Sequence, residues 1–257
     1  MCTFIILRRP NAAWPVLIAA NRDEMIDRPW LPPARHWPDR PEVVAGQDVL
    51  AGGSWLGLND HGVVAGILNR HGSLGPAAGQ RSRGELVLEA LDHADASEAA
   101  EALSHIEPAA YRTFNLMIAD NRDAFWLRHA DPSGTLPITI ARLEPGLHMI
   151  ASGDLDDDEL PRLKRYRPLF AEAPIPDPDS GDWAAWQQLL TDSDLKPGEE
   201  AQNVMRFDTG RGFATVSSAL IALPAVPATA TETPRKPQFL MAAHQPKPSS
   251  WHDYYSR

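Results

Sequence analysis

The sequence contains very little cysteine: Cys2 is the only one in 257 residues. A single thiol excludes an internal disulfide, and disulfides are typical of oxidising compartments, so we expect a cytoplasmic protein. The chain has nine histidines, but none stands at the spacing of a zinc site, and the pattern His-Glu-x-x-His does not occur. We therefore expect neither a metal nor a cofactor.

Long apolar runs and clusters of positive charge are also lacking. No apolar stretch approaches the ~18 residues of a transmembrane helix. Arg8 and Arg9 follow the first apolar segment, whereas the charges of a signal peptide precede it. The net charge is -10, and no basic block is present that a phosphate backbone would attract. The sequence therefore predicts no membrane span and no nucleic-acid partner.

The residues that organise the chain lie near its beginning. Cys2 heads an apolar, β-branched run, and a second apolar run at 16–20 ends abruptly in the polar residues 21–24. Two strands of a buried sheet, joined by a short turn, would pair these two runs. We therefore expect the Cys2 thiol to lie close to Asn21 and Asp23.

Cys2 is a candidate nucleophile because of its place directly after Met1. Removal of Met1 would give Cys2 a free α-amine, which titrates near pH ~8, beside a thiol that titrates near ~8.5. One residue would then hold both nucleophile and base, as in an N-terminal nucleophile hydrolase. The alternative is that Cys2 is a small apolar residue at a buried strand end, which is how most free cysteines behave.

The tripeptide Asn-Arg-Asp occurs twice, at 21–23 and at 121–123. The second copy lies between two apolar runs and is predicted to be a hairpin turn. The tripeptide alone therefore carries little information, and the interest of residues 21–23 depends on their pairing with Cys2.

Residues 28–41 form an unusual segment with five prolines, three arginines and two tryptophans. Proline fixes φ and removes a backbone donor, so we predict a loop with no regular element. One interpretation is a surface connection whose indoles cover the core. The other is a pocket wall that offers Trp37 and an arginine to a ligand.

Blocks of strands and blocks of helices follow one another in the remaining chain, with a Ser82–Glu85 capping box at the first helix. We predict a hairpin around 59–62, helices over 83–93 and 97–103, antiparallel strands from 113 to 150, helices near 160–165 and 183–190, and strands over 213–223 and 239–243. This order favours an α+β fold with largely antiparallel sheets and argues against a Rossmann fold. We expect a single domain over 1–243, followed by a loose tail over 244–257.

Several blocks, in the right order, resemble the NRDE family, the family of transport and Golgi organization protein two. They are Met-Cys-Thr-Phe at the start, Asn21-Arg22-Asp23-Glu24, Arg28-Pro29, Gly52 to Gly57, Ser82 to Val87, and Phe114-Asn115-Leu116. The family in turn resembles N-terminal nucleophile hydrolases of the choloylglycine and penicillin acylase type, which begin with Met-Cys-Thr. The resemblance implies a four-layer αββα sandwich of two largely antiparallel sheets.

The resemblance also implies catalytic residues. Cys2 matches the nucleophile of the hydrolases, and Asn21 and Asp23 match two positions of their Arg-Asn-x-Asp block. Ala20 stands at the arginine position of that block. Arg22, two residues on, keeps the same face of a strand and is the candidate replacement. In the reaction, Asn21 or Asn69 would donate to the oxyanion, and Arg22 would hold a substrate carboxylate. Asp23 would orient the amine of Cys2.

Five further positions are candidates for substrate binding. Ser152 stands where the family usually has Asn, at the position of an oxyanion donor in the hydrolases, and Asn69 is a second candidate donor. Trp55 belongs to a matching block, and Arg211 lies in a late block that matches loosely. Trp37 comes from the proline-rich segment.

Two functions remain open. The first is Cys2-dependent hydrolysis of an amide or thioester in an acyl substrate. The second is a non-catalytic binding or carrier protein for haem or an acyl lipid on the same fold, because family members have been linked to both ligands. In the carrier, the tryptophan-rich segment would hold the ligand, and His36, His61 or His71 would be the candidate iron ligands. A scaffold of the secretory pathway has no support beyond the name of the family.

Overall fold

The computed structural model describes residues 2–227 and 233–255. Contacts divide the chain into two compact units: unit 1 is Met1–Arg28 with Pro145–Arg257, and unit 2 is Pro29–Glu144. The expectation of one domain over 1–243 stays a prediction.

The described residues form strands and four α-helices. The strands are β1 (Thr3–Arg8), β2 (Val16–Met25), β3 (Trp30–Ala34), β4 (Val43–Asp48), β5 (Leu56–Asn59), β6 (Val64–Asn69), β7 (Phe114–Ala119), β8 (Ala124–His129), β9 (Thr139–Arg142), β10 (Gly146–Ile150), β11 (Phe213–Leu223), β12 (Gln238–Ala243) and β13 (His252–Asp253). The helices are α1 (Gly84–Leu91), α2 (Ala96–Ser104), α3 (Pro161–Glu172) and α4 (Ala184–Leu190). None of these helices is both long and apolar enough to cross a bilayer.

Unit 1 contains a six-stranded antiparallel sheet in the order β10-β1-β2-β11-β12-β13. The apolar first half of β2 is central and pairs with β1 and β11, so that both of its edges are hydrogen-bonded. Side chains on one face of the sheet, such as Ile5, Leu17 and Leu220, form one buried cluster with Leu163 of α3 and Trp186 of α4. The burial of this apolar surface holds the helices on that face.

Unit 2 contains a seven-stranded antiparallel meander in which β3 to β9 follow chain order. Leu91 of α1 and Ala99 of α2 share a buried cluster with Phe114 and Leu116 of β7. The side chain of Asp95 caps α2 by accepting hydrogen bonds from two backbone N–H groups of its first turn.

The α+β prediction with two antiparallel sheets is confirmed. Each unit consists of one sheet with two helices packed on it, and these are the kinds of layer that the predicted αββα sandwich requires. The turn prediction for 121–123 is also confirmed, because Asp120 Oδ1 accepts hydrogen bonds from the backbone N–H groups of Arg122 and Asp123 between β7 and β8.

Three local predictions are wrong. The proline-rich segment contains β3, which is tolerated because it is an edge strand with an irregular register between Leu31 and Ala34. The capping box does not form: Ser82 Oγ accepts from the N–H of Gly84, while Glu85 interacts with Arg81 and with the hydroxyl of Tyr111. The helix therefore begins at Gly84 without a side-chain cap.

The third correction concerns the end of the chain. His244 is buried, and the short strand β13 pairs with β12. The segment after residue 243 is therefore partly packed, and β12 is an interior strand.

Candidate functional site

The strand register brings the candidate residues at the start of the chain together. Thr3 lies opposite Asn21 in the β1–β2 pair, so Cys2 reaches the polar half of β2. The Cys2 Sγ atom lies 3.4 Å from the backbone N of Asp23, which donates to it, and 3.5 Å from the backbone O of Asp23. Cys2 is partly buried. This placement agrees with the sequence analysis, and the catalytic roles of these residues stay predictions.

The Asp23 carboxylate takes part in a fully buried ion pair. Its Oδ2 atom accepts a hydrogen bond of 2.9 Å from Nη1 of Arg162, and both side chains have 0% exposure. The same Nη1 atom lies 2.9 Å from Oγ1 of Thr3, and Nε of Arg162 donates to the backbone O of Gln202 at 2.9 Å. The guanidinium carbon also lies 5.4 Å from the ring centroid of Phe207. These contacts fix Asp23 in one orientation.

Sequence reasoning missed Arg162. It is the second residue of α3, after Pro161 at the first helical position. The helix dipole favours acidic side chains in a first turn, so an arginine there is a weak sign of a specific partner. The sequence alone does not identify that partner, because Asp23 is 139 residues away in the chain.

Asn21 is buried and fully bonded. Its Nδ2 atom donates to the backbone O of Leu190 at 2.9 Å and of Met205 at 2.8 Å, while Oδ1 accepts from Oγ of Ser218 at 2.5 Å. Asn21 therefore anchors the end of α4 and the segment before β11. Its expected donation to an oxyanion would require one of these bonds to break, and that role stays a prediction.

A buried histidine extends this network. Nε2 of His244 lies 2.7 Å from Oγ of Ser218. Burial and, to a smaller extent, the nearby positive charge of Arg206 lower the pKa of His244 to about 4, while the negative charge of Asp23 opposes the shift. His244 is therefore neutral at pH 7. Neither Ser218 nor His244 carried a sequence signal, because each makes its contact over a long separation.

The Cys2 thiol is held in its neutral form. Burial raises the pKa of Cys2, and the negative charge of Asp23 raises it further. The positive charge of the N-terminus, the hydrogen bond from the backbone of Asp23 and the charge of Arg22 lower the pKa, in this order, but their effects are smaller. A nucleophilic role therefore requires a base that removes the thiol proton during the reaction.

Arg22 lies on the same strand but on the opposite face from Asn21 and Asp23, because side chains alternate along β2. Its side chain is 5% exposed, and Nη2 lies 3.8 Å from Oε2 of Glu24. This charge is therefore buried and has an acidic neighbour. Binding of a substrate carboxylate by Arg22 stays a prediction.

Two other candidates lie in unit 1. Ser152 is buried and follows β10, and continuing the register that pairs Phe4 with Ile150 places it opposite Cys2. Arg211 is exposed in the turn that leads into β11, and β11 pairs with the end of β2. The substrate-binding roles of both residues stay predictions.

The remaining substrate-binding candidates lie in unit 2. Trp37 is 9% exposed in the core cluster of that unit, and its Nε1 donates to the backbone O of Gly52 at 3.0 Å. Trp55 packs edge-to-face on Trp30, with centroids 5.6 Å apart. The indole of Trp37 therefore covers the core of unit 2, as one interpretation expected. Asn69 ends β6. The ligand contacts of Trp37, Trp55 and Asn69 stay predictions.

Two of the three histidines considered as haem ligands make polar contacts within the protein, and His71 is exposed. His36 Nε2 lies 2.8 Å from the backbone O of Pro32, and His61 Nε2 lies 3.0 Å from Oε2 of Glu42. Within residues 2–227 and 233–255, no group of three His, Cys, Asp or Glu side chains has the arrangement of a metal site.

Comparison of sequences identifies relatives of the chain. It is 34% identical over 118 residues to the Transport and Golgi organization protein 2 homolog of Bos taurus, and 33% identical over 118 residues to that of Homo sapiens. Each match covers 42% of this chain and 40% of the relative, so the similarity spans less than half of those proteins.

Comparison of structures identifies acylases and amidases of the N-terminal nucleophile hydrolase fold. Penicillin V acylase from Agrobacterium tumefaciens superimposes with a TM-score of 0.57 at 14% identity, over 98% of this chain and 86% of the acylase. The Caenorhabditis elegans ortholog of N-acylethanolamine-hydrolyzing acid amidase gives a TM-score of 0.56 at 13% identity, over 89% of this chain and 95% of the amidase. The C2A mutant of the conjugated bile acid hydrolase from Clostridium perfringens gives a TM-score of 0.53 at 12% identity, over 100% of this chain and 93% of the hydrolase. At these identities the similarity establishes the fold alone.

The sequence profile of one family matches residues 1–217, which is most of the chain and includes all nine catalytic and substrate-binding candidates, although Ser218 and His244 lie beyond it. The chain therefore belongs to the Transport and Golgi organisation 2 family.

Proposed function

We propose that the protein hydrolyses an amide or thioester bond of a small acyl compound, with Cys2 as the nucleophile. The observation that carries the proposal is the contact of the Cys2 thiol with Asp23, whose carboxylate is fixed in a buried ion pair. The acylases and amidases that share the fold act on acyl compounds according to their names, which makes this class the first to test.

The proposed reaction begins after Met1 has been removed. The thiol sulfur of Cys2 forms a bond to the substrate carbonyl carbon, and the thiol proton passes to the α-amine of the same residue. When the tetrahedral intermediate collapses, the bond to the leaving nitrogen or sulfur breaks and the leaving group takes the proton from the ammonium. Water then attacks the acyl thioester formed on Cys2, and its proton passes to the amine. The carbon–sulfur bond breaks, the acid leaves, and the sulfur takes the proton back from the ammonium.

Three other residues of unit 1 have proposed roles in this reaction. Asp23 orients the amine, Ser152 donates a hydrogen bond to the oxyanion, and Arg22 binds a substrate carboxylate. We also propose the cytoplasm as the location, because a chain with a single cysteine forms no internal disulfide, as is usual for proteins of a reducing compartment.

The alternative is a non-catalytic carrier for haem or an acyl lipid on the same fold. The observation that favours it is the raised pKa of Cys2, since a neutral thiol in a partly buried position is unreactive without a base. A carrier would have no need of the free α-amine.

The deciding experiment compares the wild-type chain with Cys2→Ala and Cys2→Ser. Intact mass first reports whether Met1 is removed, and circular dichroism reports whether each variant folds. Turnover of a fluorogenic N-acyl amide and of an acyl thioester is then measured, together with binding of hemin and of a fluorescent fatty acid. A hydrolase loses turnover by ~10³-fold or more in Cys2→Ala. A carrier shows no turnover in any chain and binds equally well with and without the thiol.

A further inference from the structure

The ion pair between Arg162 and Asp23 is costly to bury. Both side chains have 0% exposure, and moving an ion from water into a protein interior costs several kcal/mol even after relaxation. An apolar pair of similar volume would fasten α3 to the sheet at least as well. The presence of two full charges at this place therefore points to a role beyond packing.

The ion pair is connected to Cys2 through both β1 and β2. Nη1 of Arg162 binds Thr3, the neighbour of Cys2 in the chain, and it binds the carboxylate of Asp23 at the same distance of 2.9 Å. The backbone of Asp23 in turn contacts the Cys2 sulfur. The positive charge of Arg162 therefore lies beside the one negative charge that disfavours ionisation of this thiol.

Other charges around the site differ in position and sign. Arg22 on β2 also favours the thiolate, and its Nη2 atom lies 3.8 Å from Oε2 of Glu24. His244, which follows β12, is neutral at pH 7, and Arg206, before β11, acts on that histidine. Arg162 is hydrogen-bonded to the Asp23 carboxylate, which no contact described for Arg206 or His244 involves.

We propose that Arg162 is a positioning residue of the Cys2 site, which fixes the Asp23 carboxylate and offsets its charge so that Cys2 can give up its proton. The proposal rests on the proposed function and names the residue that regulates the nucleophile. A lone carboxylate at this place would oppose a thiolate and would hold a free α-amine as ammonium, which cannot accept a proton. The cation of Arg162 reduces both effects.

The test measures the rate of alkylation by iodoacetamide as a function of pH, since every adduct reports Cys2 in a chain with a single cysteine. Arg162→Met removes the charge, and Arg162→Lys retains it. Arg167→Met is the matched control, because Arg167 lies on the same helix and pairs with Asp158 at the surface.

We expect Arg162→Met to move the midpoint of alkylation upward by about one pH unit, which is a ~10-fold slower reaction at a fixed pH below the midpoint. Arg162→Lys should move it much less, and Arg167→Met should leave it unchanged. Asp23→Asn, added to Arg162→Met, should move the midpoint back down, since it removes the uncompensated charge. A purely structural pair predicts the same midpoint in all folded variants, and that result would overturn the proposal.

Two features keep the test decisive. If Arg162→Met fails to fold, Asp23→Asn alone is informative, because the unbalanced Arg162 cation should then lower the midpoint. Alkylation also needs neither a substrate nor removal of Met1. A shift without any turnover would therefore refute the hydrolase and support Arg162, whereas turnover without a shift would do the reverse.

Discussion

The hydroxyl of Ser218 lies 2.5 Å from Oδ1 of Asn21, across a separation of 197 residues in the chain. The amide nitrogen of Asn21 donates to two backbone carbonyls, so Oδ1 is the acceptor and Ser218 must donate to it. The Ser218 oxygen can then only accept from Nε2 of His244 at 2.7 Å, which assigns the proton of this histidine to Nε2. The chain of bonds joins β2, β11 and the segment after β12.

Ser218→Ala should destabilise the protein by about 1–3 kcal/mol. The substitution leaves Oδ1 of Asn21 and Nε2 of His244 buried without this partner, and an unsatisfied buried polar group costs that much. Urea unfolding at pH 7.5, followed by tryptophan fluorescence, measures the change. Ser217→Ala, one residue earlier on the same buried strand, is the matched control, and an equal loss in the two variants would contradict the prediction.

His244 should make the protein less stable in mild acid. Its pKa is about 4 in the folded chain and ~6.5 when unfolded, so the unfolded state binds the extra proton between these values. The contribution of the neutral histidine is complete above pH ~6.5 and is lost as the pH falls to about 4, for a total of roughly 3 kcal/mol. The free energy of unfolding is measured at pH 7.5, 5.5 and 4. In His244→Gln the free energy of unfolding should fall less between pH 7.5 and 4, by this amount. If it falls equally in the wild-type chain and in His244→Gln, His244 does not contribute to the pH dependence.

The Cys2 thiol should react more slowly in the folded chain than in the unfolded one. Its pKa is raised by burial and by Asp23, so at pH 8 a smaller fraction is thiolate than in an unfolded peptide. Alkylation by iodoacetamide is compared in buffer and in 6 M urea while Met1 is still present. Treatment with a methionine aminopeptidase then tests the α-amine, since a nucleophile with its own base should gain reactivity toward an acyl ester. Equal rates in the folded and unfolded chain would contradict the first part of this prediction.

Gly53→Ala should be more costly than Gly52→Ala, although the two positions are adjacent. A Cβ atom on Gly53 would lie 2.4 Å from the backbone carbon of Gly84 and 2.7 Å from its oxygen, at the start of α1. Relief of this overlap needs a backbone shift, which costs about 3 kcal/mol. Gly52 has a φ of +74° with open space around it, so alanine there costs about 1 kcal/mol of backbone strain. Thermal unfolding of both variants checks the order, and a larger loss in Gly52→Ala would refute it.

The pairing of the first two strands could be predicted because both runs are apolar and are separated by a short turn. This pairing predicted that Cys2 lies close to Asn21 and Asp23, and the observed register of Thr3 with Asn21 agrees with it. The start of α1 could not be predicted in the same way. Glu85, the second half of the apparent capping box, instead contacts Arg81 and Tyr111. The local pattern does not show that Arg81 and Tyr111 compete with the backbone for the Glu85 side chain.

The other half of the site had no sequence signal for a physical reason. Arg162, Ser218 and His244 are polar residues of ordinary type, and each gains its meaning from a partner on a distant strand or helix. They become buried only when the strands and helices of unit 1 assemble. Periodicity and motif reasoning describe neighbours in sequence, so they identify Cys2 and Asp23 but not the groups that hold them.

The order of the strands in unit 1 has a consequence for synthesis on the ribosome. The central strand β2 is complete at residue 25, but its second partner, β11, begins only at residue 213. Until then the nascent chain carries an apolar strand with one unpaired edge, and unpaired edges recruit other chains. The sheet of unit 1 is therefore completed only by carboxyl-terminal strands, and a chain that ends before residue 213 leaves this edge of β2 open to pairing with another chain.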